Sequence, residues 1–323
     1  MNTTSFIDDI VAAARPVERP VDRTAEPARG APVPRSVRRL GDHLGELLTL
    51  DTATLERVAR HQGESGLRFG EAAVALGVAE AGDVERALGR QFEYPARVEG
   101  LSGESSELTV LCDPGSARAE SVRTLRSQLT MRLEAAAAPR RIVAAISAER
   151  GDGRTWCVAN LGTAMAQLGG RTLLVDADLR HPRLHRLFGL KPGPGLCGVL
   201  GERAGAEAIL AVPGVPGLFV LPAGAEPPNP LELVERRSFG EVLRRLGDNF
   251  HHVLVDTPAA ELGADASVVA ARCGAAMLVA RRDASSARGI QRLVASLKAP
   301  GPLLVGAVLN DAGIASAPAR RQG

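Results

Sequence analysis

The chain has 323 residues, of which 45% are hydrophobic and 24% charged, the make-up of an ordinary globular protein of about two or three domains. No apolar run approaches the ~18 residues of a spanning helix, the formal net charge is only +2, and the N-terminus carries acids early with no basic stretch, so a membrane-spanning chain, a broad nucleic-acid-binding face and a signal peptide are not expected. The 39 basic residues include only two lysines, Lys191 and Lys298; Tyr94 is the single tyrosine; and four scattered cysteines form no C-x-x-C, which predicts reduced thiols in a cytoplasmic protein.

Residues 1–38 are dense in Pro, Arg and Ala and predict a disordered tail, solvated rather than lipid-bound because acids are interspersed with the arginines. Residues 39–95 hold a two-copy repeat. Arg39-Leu40-Gly41-Asp42 leads to Gln62, and Arg68-Phe69-Gly70-Glu71 leads to Gln91, at a constant offset of 29 residues. Each copy predicts a short helix, a turn and an amphipathic helix. Two copies suggest a compact helical module rather than a solenoid.

Residues 96–115 read as a linker. From 116 a helical stretch precedes strand-like apolar runs at 141–147, 172–178, 218–224, 252–258, 275–281 and 303–310, separated by helix-length segments. Nearly continuous apolar runs fit buried strands of a parallel sheet, and the alternation predicts a doubly wound α/β domain over 116–311, followed by a short disordered tail at 312–323.

The first strand leads into Ala148-Glu149-Arg150-Gly151-Asp152-Gly153-Arg154-Thr155 and then a helix. A glycine-rich turn at a helix N-terminus surrounds an anion with backbone N–H groups, the helix dipole behind them. Against the pattern G-x-x-x-x-G-K-[ST], Gly153 and Thr155 match, while Ala148 and Arg154 stand where glycine and lysine are usual. By itself such a turn is as consistent with a plain strand–helix connection. The second strand ends in Asp176 and Asp178, two apart and pointing the same way. The fourth of the apolar runs ends in Asp256. Carboxylates at the carboxyl ends of α/β strands sit where such sheets bind ligands, and three of them beside a phosphate loop call for Mg²⁺ on a nucleotide.

With these motifs the chain resembles the bacterial tyrosine kinases of capsule and exopolysaccharide assembly, over roughly residues 116–311. The resemblance rests on ESVRTLR, the loop, VDADLRHPRLHRLF, GLCGVLGE, LPAGAEPPNPLELV and VDTPA. The ERGDGR loop and the RFGEAAVALG…QFEYP segment are most similar to the chain-length-determinant subgroup. This implies a P-loop NTPase fold: a doubly wound, mostly parallel sheet preceded by a small helical domain. It also implies ATP and Mg²⁺ as cofactors and transfer of the γ-phosphoryl group to protein tyrosine. Gly151, Asp152, Gly153, Arg154, Thr155 and Trp156 would bind nucleotide. Thr155, Asp176, Asp178 and Asp256 would serve the metal, with Asp176, Asp178 and Arg154 catalytic. Arg180 would contact phosphate or an interface. Glu120, Arg123 and Arg126 would mediate homo-oligomerisation. The implied partner is the cytoplasmic segment of a membrane polysaccharide co-polymerase, placing the protein peripherally at the inner membrane, with no nucleic-acid partner.

Three features depart from that family. Arg154 replaces lysine with a larger, planar cation. Ala259 stands where proline is usual. The residues after Asn310 contain no tyrosine, so tail autophosphorylation is not expected, and Tyr94 reads as structural rather than as an acceptor. The repeat resembles the N-terminal module of type II secretion and pilus ATPases, which implies cyclic di-GMP contacts at Arg39 and Arg68. The second copy carries Gly77 where the first has Leu48. Competing functions are an ATP-driven assembly switch without phosphotransfer and a partitioning-type ATPase.

Overall fold

The computed structural model describes residues 39–91, 103–135, 142–297 and 301–311. The predicted tails, Tyr94 and the first part of the predicted linker lie outside them. The described residues fall into two units, 39–91 and 103–311.

The first unit has four helices: α1 (Leu40–Leu48), α2 (Thr52–Ser65), α3 (Phe69–Ala75) and α4 (Ala81–Gln91). Asp51 caps α2 by accepting the N–H of Thr54 at 2.9 Å, and Gly66 ends it in the left-handed conformation. The two copies interleave. The short helix α1 packs on α4 of the second copy, and the short helix α3 packs on α2 of the first. Leu44, Val58, Ala72, Ala73 and Ala87 form the shared core. The repeated motif has a packing cause. A Cβ on Gly70 would lie 2.5 Å from Val84 Cγ1, and one on Gly41 would lie 3.1 Å from the Phe69 ring. Arg39 and Arg68 occupy equivalent places before α1 and α3, where Asp42 and Glu71 accept their N–H groups at 2.8 and 2.9 Å. Both arginines are exposed.

The second unit opens differently from the expected linker. Residues 103–107 form a 3₁₀ turn, followed by α5 (Thr109–Cys112), with Leu108, Val110 and Leu111 buried. The segment is held because Asn160 takes the N–H of Val110 (3.2 Å) on its Oδ1 and donates to the carbonyl of Glu107 (3.0 Å). From Gly103 onward the predicted linker is therefore part of the second unit. Next comes α6 (Ala117–Glu134), capped by Ser116.

The remaining elements alternate as expected: β1 (Ile142–Ile146), α7 (Arg154–Ala166), β2 (Thr172–Asp176), α8 (Leu184–Leu187), α9 (Gly195–Leu200), β3 (Leu210–Ala211), β4 (Leu218–Leu221), α10 (Pro230–Glu235), α11 (Arg237–Asn249), β5 (His252–Asp256), α12 (Asp265–Cys273), β6 (Ala275–Arg281), α13 (Ala287–Ser296) and β7 (Leu303–Asn310). The sheet order is β3-β4-β2-β5-β1-β6-β7, parallel throughout except for β3. The six long strands are those read from the sequence. The two-residue β3 at one edge was not expected, and it is too short to leave a periodic signal. The inner strands β1, β2 and β5 are buried along almost their whole length, which is why they read as unbroken apolar runs. Register places Asp256 level with Asp176 on one side and Ala145 on the other. The ends of β1, β2 and β5 thus deliver their loops to a single rim.

Candidate nucleotide site

The phosphate loop runs from Ser147 to Arg154, and its shape depends on glycine at two positions. Gly151 and Gly153 have φ of +80° and +94°, where a side chain would be strained. A Cβ on Gly153 would also collide with the amide of Asn310, which donates to the carbonyl of Asp152 at 3.0 Å. Asp152 holds the turn rather than facing the cavity. Its Oδ2 accepts the N–H of Glu149 (3.0 Å), and its Oδ1 accepts the hydroxyl of Ser285 (2.6 Å). Among the described residues, the N–H groups of Gly151 to Trp156 have no protein acceptor. Together with the start of α7 they form an anion cradle.

Arg154 is 7% exposed. Its Nε donates to the carbonyl of Thr257 (2.8 Å), and its Nη1 donates to Ser147 Oγ and to the carbonyl of Glu149 (3.0 Å). The guanidinium is therefore anchored across the rim and acts as a counter-charge to Asp256.

The three aspartates divide into different roles. Thr155 donates its hydroxyl to Asp256 Oδ2 at 2.6 Å, while Asp256 Oδ1 is buried without a partner. Burial pushes the Asp256 carboxyl up to about 6 against the attraction of Arg154. Asp176 is fully buried, and burial and then the Asp256 charge push it well above the usual carboxylate range. Its two oxygens accept the N–H groups of Asp178 (3.2 Å), Arg183 (3.1 Å) and Leu184 (3.1 Å). Asp176 thus shapes the turn after β2, and it is Asp178 that lines the cavity. The carboxylates expected to serve the metal thus stand in three different surroundings. Among the described residues no cluster of three or more His, Cys, Asp or Glu has metal-holding geometry. The residues still fit Mg²⁺: a hydroxyl, the orphaned Asp256 oxygen beneath it and Asp178 give a hard, all-oxygen set. Mg²⁺ characteristically binds one or two carboxylates plus substrate phosphates and water.

The cavity holds about 340 Å³, and Gly153, Asp178, Arg183, Glu107, Arg118 and Asn310 are among the residues that line it. Trp156 packs beside Val110, Val122 and Ala164, and Arg118 lies over its ring at 5.8 Å. The expected oligomerisation residues make contacts within the chain. Glu120 pairs with Arg123 at 2.9 Å, Arg123 also reaches the carbonyl of Pro114, and Arg126 donates to the carbonyl of Ala164 at the end of α7 (3.0 Å). Sequence reasoning missed Asn160, Glu261, Asp265, Asn310 and the pairing of Arg183 with Glu104 and Glu107. Only Asn160 carried a signal, as a lone amide in the middle of a largely apolar helix.

No protein-family model matches the chain. Over 193 residues it is 31% identical to the tyrosine-protein kinase ptk of Acinetobacter johnsonii, covering 59% of this chain and 26% of the relative. The tyrosine-protein kinase CpsD of Streptococcus pneumoniae is 29% identical over 171 residues, 53% of this chain and 75% of the relative. In structure it matches the chimerical protein CapA2B2 (TM-score 0.59, 30% identity, 64% of this chain and 89% of that one) and the kinase domain of the Escherichia coli tyrosine kinase ETK (TM-score 0.58, 29% identity, 65% and 82%). The chain is thus similar to bacterial tyrosine-protein kinases in both sequence and structure. It spans about a quarter of the length of the first curated relatives it matches. As in the sequence reading, the second unit has a P-loop NTPase fold, a mostly parallel sheet with helices.

Proposed function

We propose that this protein binds Mg²⁺–ATP in the cavity above the phosphate loop and transfers the γ-phosphoryl group to a protein tyrosine, so regulating exopolysaccharide chain length and export. The observation that carries the reading is the cradle itself: unpaired N–H groups from Gly151 to Trp156, with Asp178 and Thr155 facing the same space. The N–H groups bind the phosphates, and Thr155 and Asp256 orient the metal side. Asp178 accepts the proton of the attacking hydroxyl. Bound Mg²⁺ would neutralise the charge on the β- and γ-phosphates. The reading takes the acceptor to lie on a partner, the cytoplasmic segment of a membrane co-polymerase, which would hold the protein at the inner membrane. Incubation with labelled ATP and that segment tests the reading. Tyrosine labelling that is lost in Asp178→Ala supports it.

A second reading is favoured by Arg154, whose guanidinium is committed to Thr257, Ser147 and Glu149. In it, ATP binding drives homo-oligomer assembly without phosphotransfer, and any tyrosine labelling rejects it. For the helical module we propose cyclic di-GMP as the ligand, supported by the exposed, equivalent Arg39 and Arg68. Calorimetry that detects no heat of binding rejects that assignment.

A further inference from the structure

The loop that follows Asp256 is tied at two points. Glu261 Oε1 accepts the N–H of Arg150 in the phosphate loop at 2.8 Å, and the N–H groups of Ala260 and Glu261 donate to the carbonyls of Ser147 and Ala148. Four residues on, Asp265 opens α12 at 3% exposure. It takes Arg180 in a two-toothed ion pair, Nε to Oδ1 at 3.2 Å and Nη2 to Oδ2 at 3.1 Å. Arg180 belongs to the turn gathered by Asp178, whose Oδ1 accepts the N–H groups of Arg180 (3.2 Å) and His181 (2.9 Å). The residue whose backbone Asp178 grips is thus gripped by its side chain to the loop that also grips the phosphate loop. A fork-on-carboxylate pair fixes orientation as well as distance. Gly263 leaves room for it. Its φ is +154°, and a Cβ there would lie 2.8 Å from Asp265 Oδ2.

We propose that Arg180 is a positioning residue: through Asp265 it sets Asp178 against the phosphate loop, instead of contacting phosphate itself. This rests on the Mg²⁺–nucleotide reading of the cavity. The anion cradle is built from the N–H groups of residues 151–156 and does not include the pair. Loss of the pair therefore leaves metal-free nucleotide binding in place and weakens the contribution of Mg²⁺.

The test is titration of a fluorescent ADP analogue, in excess EDTA and in Mg²⁺, into wild type, Arg180→Ala, Arg180→Lys and Asp265→Asn, each shown to melt cooperatively. The expected result is an unchanged affinity in EDTA and a Mg²⁺ enhancement reduced by about 10–100-fold in Arg180→Ala and Asp265→Asn, the usual effect of removing an outer-shell partner of a metal ligand. Arg180→Lys, which keeps the charge but not the fork, recovers part of the enhancement. Equal losses with and without Mg²⁺ overturn the proposal, since they make Arg180 a phosphate contact or a general prop of the cavity. Full enhancement in Arg180→Ala also overturns it. A wild type with no Mg²⁺ enhancement overturns the site reading and the proposal together, which separates the two failures. If Arg180→Ala or Asp265→Asn does not fold, Arg180→Lys decides alone.

Discussion

Thr155 and Asp256, 101 residues apart in the chain, meet at 2.6 Å through hydroxyl and carboxylate, and the second carboxylate oxygen beneath them has no partner. That pair joins the first turn of α7 to the end of β5. It also leaves a buried negative charge, and the nearby cation Arg154 is shared with three neutral acceptors.

Asp256→Asn is expected to stabilise the metal-free protein and to abolish its response to Mg²⁺. The folded-state carboxyl titrates at about 6, above its ordinary 3.8. A raised value means that stability is full below pH 4 and falls as pH rises through about 6. In EDTA at pH 8 the variant should melt higher, by on the order of 1–3 kcal/mol in stability. The gain should vanish at pH 4. Thermal melts across that range check it, and an unaltered pH dependence would count against the buried charge.

Arg154→Lys tests what the anchored guanidinium does. Lysine keeps the counter-charge to Asp256 and loses the Nε bond to Thr257. A stability cost of about 1–3 kcal/mol is expected from the unpaired carbonyls. A free ammonium could then reach phosphate, so ATP turnover should rise while the melting temperature falls. Arg154→Ala should lower both.

Asn160→Ala should release the segment 103–112. Three hydrogen bonds converge on this amide, from Val110 and to Glu107 and Trp156. Leaving buried groups unpaired costs about 1–3 kcal/mol each. Local opening on that scale raises the alkylation rate of the half-buried Cys112 by roughly tenfold or more. Cys157 should stay inert, its thiol pushed up to about 12 by burial. Mass spectrometry of iodoacetamide-treated protein reads both sites.

In the helical module Gly70→Ala and Gly63→Ala should move stability in opposite directions. The first forces a methyl against Val84 and should cost about 1–3 kcal/mol. The second meets nothing within 4 Å inside α2 and should gain roughly 0.5–1 kcal/mol from helix propensity. Denaturant melts of the two variants give the comparison.

The sheet was legible in the sequence because its inner strands are covered on both faces, so val-, leu- and ala-rich runs such as 252–256 stand out from their surroundings. The phosphate loop was legible because Gly151 and Gly153 must adopt positive φ. What could not be read depends on partners far along the chain. Arg154 looked like a hand offered to phosphate, but its direction is set by carbonyls near and 103 residues away. Asp176 and Asp178 looked alike; both accept backbone N–H groups of the following turn, and only Asp178 also lines the cavity. The segment 103–112 has a linker's composition, and Asn160 makes it part of the domain.

The interleaving of the 29-residue copies carries a consequence for how the first unit fails. Each short helix finds its cover on the other copy, so one copy by itself has an apolar face and nothing to bury it against. Cleavage at Gly66, between the copies, would turn the unit into a concentration-dependent, two-fragment assembly.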